Sequence, residues 1–132
     1  MLLIILHLDS IQILVRKPLT LKVSRDTTIC FGTYAQLFAS ATGGNSNFNF
    51  LWNHGMGAGS SKMVSPQNTT TYYVTLTDSC SAAVITDSIV VKVLPPLSIN
   101  ATSASDTICI GQSTMLKVLP IGGKGSDYLF KW

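Results

Sequence analysis

Three cysteines at positions 30, 80 and 109, two histidines at 7 and 54, and six aspartates are the side chains from which a nucleophilic or metal centre could be built here. Zinc sites recruit Cys and His in pairs only a few residues apart, and no two of these five residues have that spacing. Cys80 and His54 can be drawn as a nucleophile with its base, yet nothing in the flanking sequence supplies the activating context such a pair needs. Asp9, Asp26, Asp78, Asp87 and Asp106 fall at expected strand and turn boundaries, where Asp accepts bonds from nearby backbone amides. A calcium loop holding Asp78 and Asp87 is the metal alternative they offer. The expectation is therefore no catalytic residue, no metal and no cofactor.

The elements that position these residues repeat. Asp26-Thr27-Thr28-Ile29-Cys30-Phe31-Gly32 returns as Asp106-Thr107-Ile108-Cys109-Ile110-Gly111. Ile29, Cys30, Gly32, Leu37, Gly43 and Gly44 find counterparts 79 positions later at Ile108, Cys109, Gly111, Leu116, Gly122 and Gly123, and Phe50 and Trp52 match Phe130 and Trp132 at a spacing of 80. The beginning of the chain matches its middle: Asp9-Ser10-Ile11-Gln12-Ile13-Leu14-Val15 recurs as Asp87-Ser88-Ile89-Val90-Val91-Lys92-Val93 at a spacing of 78, carrying Pro18, Leu19 and Leu21 onto Pro96, Leu97 and Ile99. A period near 80 implies an array of modules. Residues 1–17 are expected to end a preceding repeat, 18–95 to be one complete repeat, and 96–132 to begin a following, truncated one.

Charged residues are 11% of the chain against 46% apolar, with a formal net charge of +3. That is far from the basic face of a nucleic-acid binder, so no nucleic-acid partner is expected. No apolar run is long enough to cross a bilayer as a helix. The apolar start of the chain lacks a basic flank and a small-residue cleavage site, so it reads as part of a strand and not as a secretion signal. Ser, Thr, Asn and Gly dominate the remainder, a mixture poor in helix formers.

Period-two alternation marks half-buried strands. It places them at 10–15, 19–24, 36–41, 48–52, 71–77 and 87–94, with the Gly43-Gly44-Asn45-Ser46-Asn47 cluster as a turn and 53–70 as loop or short edge strands. Pro95-Pro96 is a stiff connection. About seven short strands without helical periodicity argue for an all-β antiparallel sandwich of two sheets. Phe48, Phe50 and Trp52 fall on one face, expected to be the core with Tyr72 and Val74, and either Tyr72 or Tyr73 is expected to stand opposite Trp52. A Tyr near the start of the penultimate strand is similar to the tyrosine corner of such sandwiches.

Thr28-Ile29-Cys30-x-Gly32, Ala41-Thr42-Gly43-Gly44, Phe50-x-Trp52 and Val64-Ser65-Pro66-x-x-Thr69-Thr70-Thr71-Tyr72-Tyr73-Val74-Thr75-Leu76-Thr77-Asp78-x-Cys80 together resemble the PKD-like and immunoglobulin-like repeats of secreted and cell-surface proteins in Bacteroidetes. The resemblance covers nearly the whole chain. It implies a non-catalytic extracellular or cell-surface unit that spaces, presents or adheres, of the kind often exported by the type IX pathway. Its partners would be neighbouring repeats and surface or extracellular glycans, without membrane insertion. The alternative is a carbohydrate-binding accessory module of a polysaccharide-degrading enzyme, which would need outward-facing aromatic rings.

Within the repeat, Cys30 opens the complete module and Cys80 closes its penultimate strand, so a Cys30–Cys80 disulfide is expected. Cys109 repeats Cys30 and would be unpaired by truncation. Such a bridge would add about 4 kcal/mol in the chain-entropy account and imply an oxidising compartment. Three reduced thiols are the alternative. Ser10, Thr27, Ser88 and Thr107 each follow an Asp in a short pattern resembling O-glycan acceptors of exported proteins in that phylum, a pattern that repetition alone would also generate. Asn68-Thr69-Thr70 and Asn100-Ala101-Thr102 satisfy the N-glycan sequon.

Overall fold

The structure, a computed structural model, describes residues 9–79, 83–125 and 128–132. All regular elements among them are strands: β1 (Thr20–Val23), β2 (Thr27–Cys30), β3 (Ala35–Thr42), β4 (Phe48–Trp52), β5 (Gly57–Ala58), β6 (Ser61–Val64), β7 (Thr70–Asp78), β8 (Ile85–Leu94), β9 (Ser98–Ser103) and β10 (Leu116–Ile121). They form a three-stranded sheet in the order β1-β3-β6, a five-stranded sheet in the order β2-β8-β7-β4-β5, and a separate β9-β10 pair.

Alternation explains the core. Ala35, Leu37 and Ala39 on β3 face inward from one sheet, and Phe50 and Trp52 on β4, Tyr72, Val74 and Leu76 on β7, and Ile89 and Val91 on β8 face inward from the other. All belong to one cluster with Leu19, Ile29 and Val64. Two sheets sharing one apolar interior are compatible with a β-sandwich. Each large side chain removed from water there contributes about 1.5–3 kcal/mol before the cost of ordering the chain.

Two features depart from the sequence reading. First, β2 runs parallel to β8, with Ile29 beside Val93 and Cys30 beside Leu94, so the five-stranded sheet is mixed and not wholly antiparallel. Asp26 anchors this pairing by accepting the Val90 N–H at 2.8 Å. A parallel partner requires a long crossover, here nearly the entire module, and period-two alternation carries no information about it. Second, residues 10–15 form no strand, and Ile11, Ile13, Leu14 and Val15 are exposed. A strand exists only where its backbone is paired, and no described strand lies beside these residues. The aromatic placement is also refined: Trp52 stands opposite Val74, Tyr72 is buried, Tyr73 is exposed and Phe48 is half-buried.

The β9-β10 pair has the register of β1-β3. Thr20 faces Thr42 and Val23 faces Ala39 in the first, while Ser98 faces Ile121 and Ala101 faces Val118 in the second. The glycine pairs that follow β3 and β10 make equivalent backbone contacts. Gly44 N–H donates to the Lys17 carbonyl at 2.9 Å, and Gly123 N–H donates to the Pro95 carbonyl at 2.9 Å. A Cβ at Gly43 would collide with the Pro18 carbonyl oxygen and one at Gly122 with that of Pro96, and both residues have positive φ, 87° and 82°. The turns after β2 and at 109–112 match too, with Thr33 N–H donating to the Cys30 carbonyl and Gln112 N–H to the Cys109 carbonyl.

Candidate functional site

The chemically capable residues are dispersed. Cys30, at the end of β2, carries a free, exposed thiol, and so does Cys109. The expected Cys30–Cys80 bridge therefore finds no support, and Cys80 itself lies outside the described residues. The register supplies the physical reason. Cys30 sits beside Leu94, whereas Ser79 follows β7 past the level of Ile85, at the opposite end of β8. A ten-residue strand separates the two ends by about 33 Å. Repeat phase shows which cysteine opens a module, but it does not show the end of the sheet to which that cysteine is carried.

The aspartates stabilise turns and ladders. Asp78 Oδ2 accepts the Asn45 N–H at 3.1 Å, Asp87 Oδ1 accepts the Ser88 N–H at 2.8 Å, and Asp106 Oδ1 accepts the Ser103 hydroxyl at 3.1 Å. Among the described residues, no group of three or more His, Cys, Asp or Glu converges as a metal site. Of the four resembling O-glycan acceptors, Ser10 and Thr107 are exposed, whereas Thr27 and Ser88 lie half-buried on β2 and β8.

The aromatic residues at 50, 52 and 72 serve packing. Trp52 is 3% exposed, and its indole Nε1 donates to the Gly59 carbonyl at 2.7 Å, which ties β4 to the β5 turn. Phe50 and Tyr72 are buried beside it, whereas Phe31, Tyr34, Phe38, Tyr73, Phe130 and Trp132 are exposed. Burial pushes the Tyr72 phenol above its ordinary pKa of 10.0.

One cleft of about 460 Å³ opens beside Tyr72, lined by His54, Met56, Ser65, Pro66 and Gln67. His54 occupies the left-handed region at φ 53°, its ring meets Tyr72 edge-on at 5.3 Å, and its Nε2 lies 3.3 Å from the Thr71 carbonyl. No carboxylate or thiol shares the cleft, so it has no partner for acid–base or nucleophilic work.

Sequence reasoning missed the apolar surfaces at the two flanks. Ile11, Ile13 and Val15 are exposed on one, and Leu97, Ile99 and Leu116 on the other. Contiguous exposed apolar residues mark interaction surfaces. The signal was present in the repeat itself, because each matches a residue that is buried, or packed against the core, in the complete module. No protein-family model and no curated protein matches the chain.

Proposed function

We propose that residues 18–95 are one unit of a tandem array of immunoglobulin-like or PKD-like sandwiches, similar to those of secreted and surface proteins in Bacteroidetes. In this reading the chain works at the cell surface or outside the cell as a non-catalytic spacer that presents other domains or adheres. The observation that carries it is the recurring junction: Lys17 and Pro18 meet Gly43 and Gly44 as Pro95 and Pro96 meet Gly122 and Gly123. An array of stacked units needs the chain to enter each unit by the same backbone contact, and glycine permits that approach. The stiff Pro95-Pro96 step fits a spacer that transmits extension from unit to unit. The dispersal of titratable groups supports a mechanical role over a chemical one.

Antibodies raised against the chain should label intact, unpermeabilised cells of the native host, or detect the protein in the medium. Labelling that requires permeabilisation would overturn the extracellular assignment. The aromatic row of β4 turns inward, so the carbohydrate-binding alternative rests on exposed rings elsewhere, Tyr34, Tyr73 and Trp132 among them. Retention on an insoluble polysaccharide that is lost in Tyr73→Ala would favour that alternative.

A further inference from the structure

We propose that the cleft beside Tyr72 binds a neutral saccharide, gripped between the turn that carries His54 and the loop that carries Gln67 and Asn68. The proposal rests on the adhesive reading above and deepens it by assigning a ligand class and a site within one module.

The cleft is built wholly from residues between His54 and Tyr72. Its volume of about 460 Å³ lies within the range of small-ligand sites, about 300–1,000 Å³. The buried part of its lining is apolar: Val64 and Tyr72 belong to the core, and Met56 packs half-buried against it. The exposed part is polar, with His54, Ser65, Gln67 and Asn68. An apolar bed with a few convergent polar groups is the composition of a ligand site.

Charge selects the class of ligand. Among the described residues that line the cleft, none is Asp, Glu, Lys or Arg, so a cation meets no carboxylate and an anion meets no ammonium or guanidinium. What the cleft offers instead are groups that both donate and accept. Gln67 and Asn68 each bring a side-chain carbonyl and an NH2, and neither amide is engaged among the described residues. The His54 Nε2 lies 3.3 Å from the Thr71 carbonyl, which can only accept, so Nε2 donates there and Nδ1 of the neutral ring is left to accept. Saccharide hydroxyls donate and accept alike, and the C–H face of a sugar ring suits the apolar bed. A peptide main chain is instead captured by the backbone of a strand edge, whereas these polar groups are side chains on a turn and a loop.

The groups are held in place before any ligand arrives. The His54 backbone is fixed in the left-handed region at φ 53°, and its ring is braced edge-on against Tyr72 at 5.3 Å. The facing loop is pinned at three points. The Ser65 hydroxyl donates to the Thr33 carbonyl at 2.9 Å, Thr69 Oγ1 accepts the Val93 N–H at 3.1 Å, and the Thr70 hydroxyl donates to the Asn68 carbonyl at 2.7 Å. Such fixed groups lose little conformational freedom on binding.

Calorimetric titration of the full chain tests this, with neutral tetrasaccharides of glucose, mannose, galactose and N-acetylglucosamine as probes. Tetragalacturonate serves as the anionic counterpart and a tetraproline peptide as the peptide arm. At least one neutral probe should bind saturably, and more tightly than either counterpart. Gln67→Ala and His54→Asn should each weaken that binding roughly tenfold, the loss expected for one hydrogen-bonding group. Asn keeps the left-handed backbone at position 54. Gln36→Ala, which removes an exposed amide on β3, should bind as the wild type does. Denaturant midpoints decide which variants count: a variant with a lowered midpoint is set aside, and the exposed loop change Gln67→Ala carries the test. No saturable binding of any neutral probe, tighter binding of tetragalacturonate or the peptide, or full affinity in Gln67→Ala overturns the proposal. Surface labelling of cells without saccharide binding removes this site alone and leaves the spacer reading in place.

Discussion

Cys30 and Cys109 occupy equivalent turns, both exposed and both free, so under native conditions without reductant each should react with a maleimide within minutes. Protection of Cys30 that is relieved by reductant would restore the bridge to Cys80. Tyr72 gives a second residue-scale test. Its phenol is held above 10.0 by burial, so the folded chain keeps a proton that the unfolded chain has lost once the pH passes about 10. The unfolded state then binds fewer protons than the folded state, and stability falls as pH rises through that range, with no slope from this group below about pH 9. Denaturant midpoints measured from pH 8 to 11 should show a steeper alkaline decline in the wild type than in Tyr72→Phe. The burial of Phe50, Trp52, Tyr72 and Val74 follows alternation that is plain in the sequence, since side chains two apart on a strand share a face. The same phase selects Tyr72 over Tyr73, because Tyr72, Val74 and Leu76 share one face while Tyr73 falls with Thr71, Thr75 and Thr77.

The glycine junction is the most exacting element. Gly43 combines a φ of 87° with direct approach to the Pro18 carbonyl, so Gly43→Ala meets backbone strain and a collision that no side-chain movement relieves. A loss of about 2 kcal/mol or more is expected, read as a lowered denaturant midpoint with an unchanged slope. Gly122→Ala should leave that midpoint in place and loosen only the β9-β10 pair, where Gly122 lies against Pro96 and its carbonyl accepts the Tyr128 hydroxyl at 2.6 Å. The turn itself was readable from Gly-Gly-Asn. What the glycines approach was not, because the contact joins residues 25 apart in sequence. Residues 10–15 show the converse. They alternate as cleanly as 87–93, which form part of β8, and yet remain unpaired. Alternation records a capacity to be half-buried, and a neighbouring edge decides whether that capacity is used.

For the molecule as a whole, the distribution of burial predicts uneven stability. The sandwich of β1 to β8 holds all the buried apolar side chains among the described residues, whereas β9-β10 is a two-stranded ribbon with its large apolar side chains exposed. Two-stranded ribbons are marginal in water. At concentrations where the chain is monomeric, amides of β7 and β8 should exchange only by global opening, and those of β9 and β10 should exchange orders of magnitude faster. Equal protection across all strands would contradict this division. The all-β class, most strand positions, the turns and the inward faces of β3, β4 and β7 were determined by the sequence alone, because they depend on local periodicity and on the backbone freedom of glycine and proline. The parallel β2-β8 pairing, the sheet order, the separation of Cys30 from the far end of β8 and the exposure of both flanks were decided only by the tertiary structure. Each depends on which distant edge a strand meets, and a pattern of period two is the same whichever edge that is.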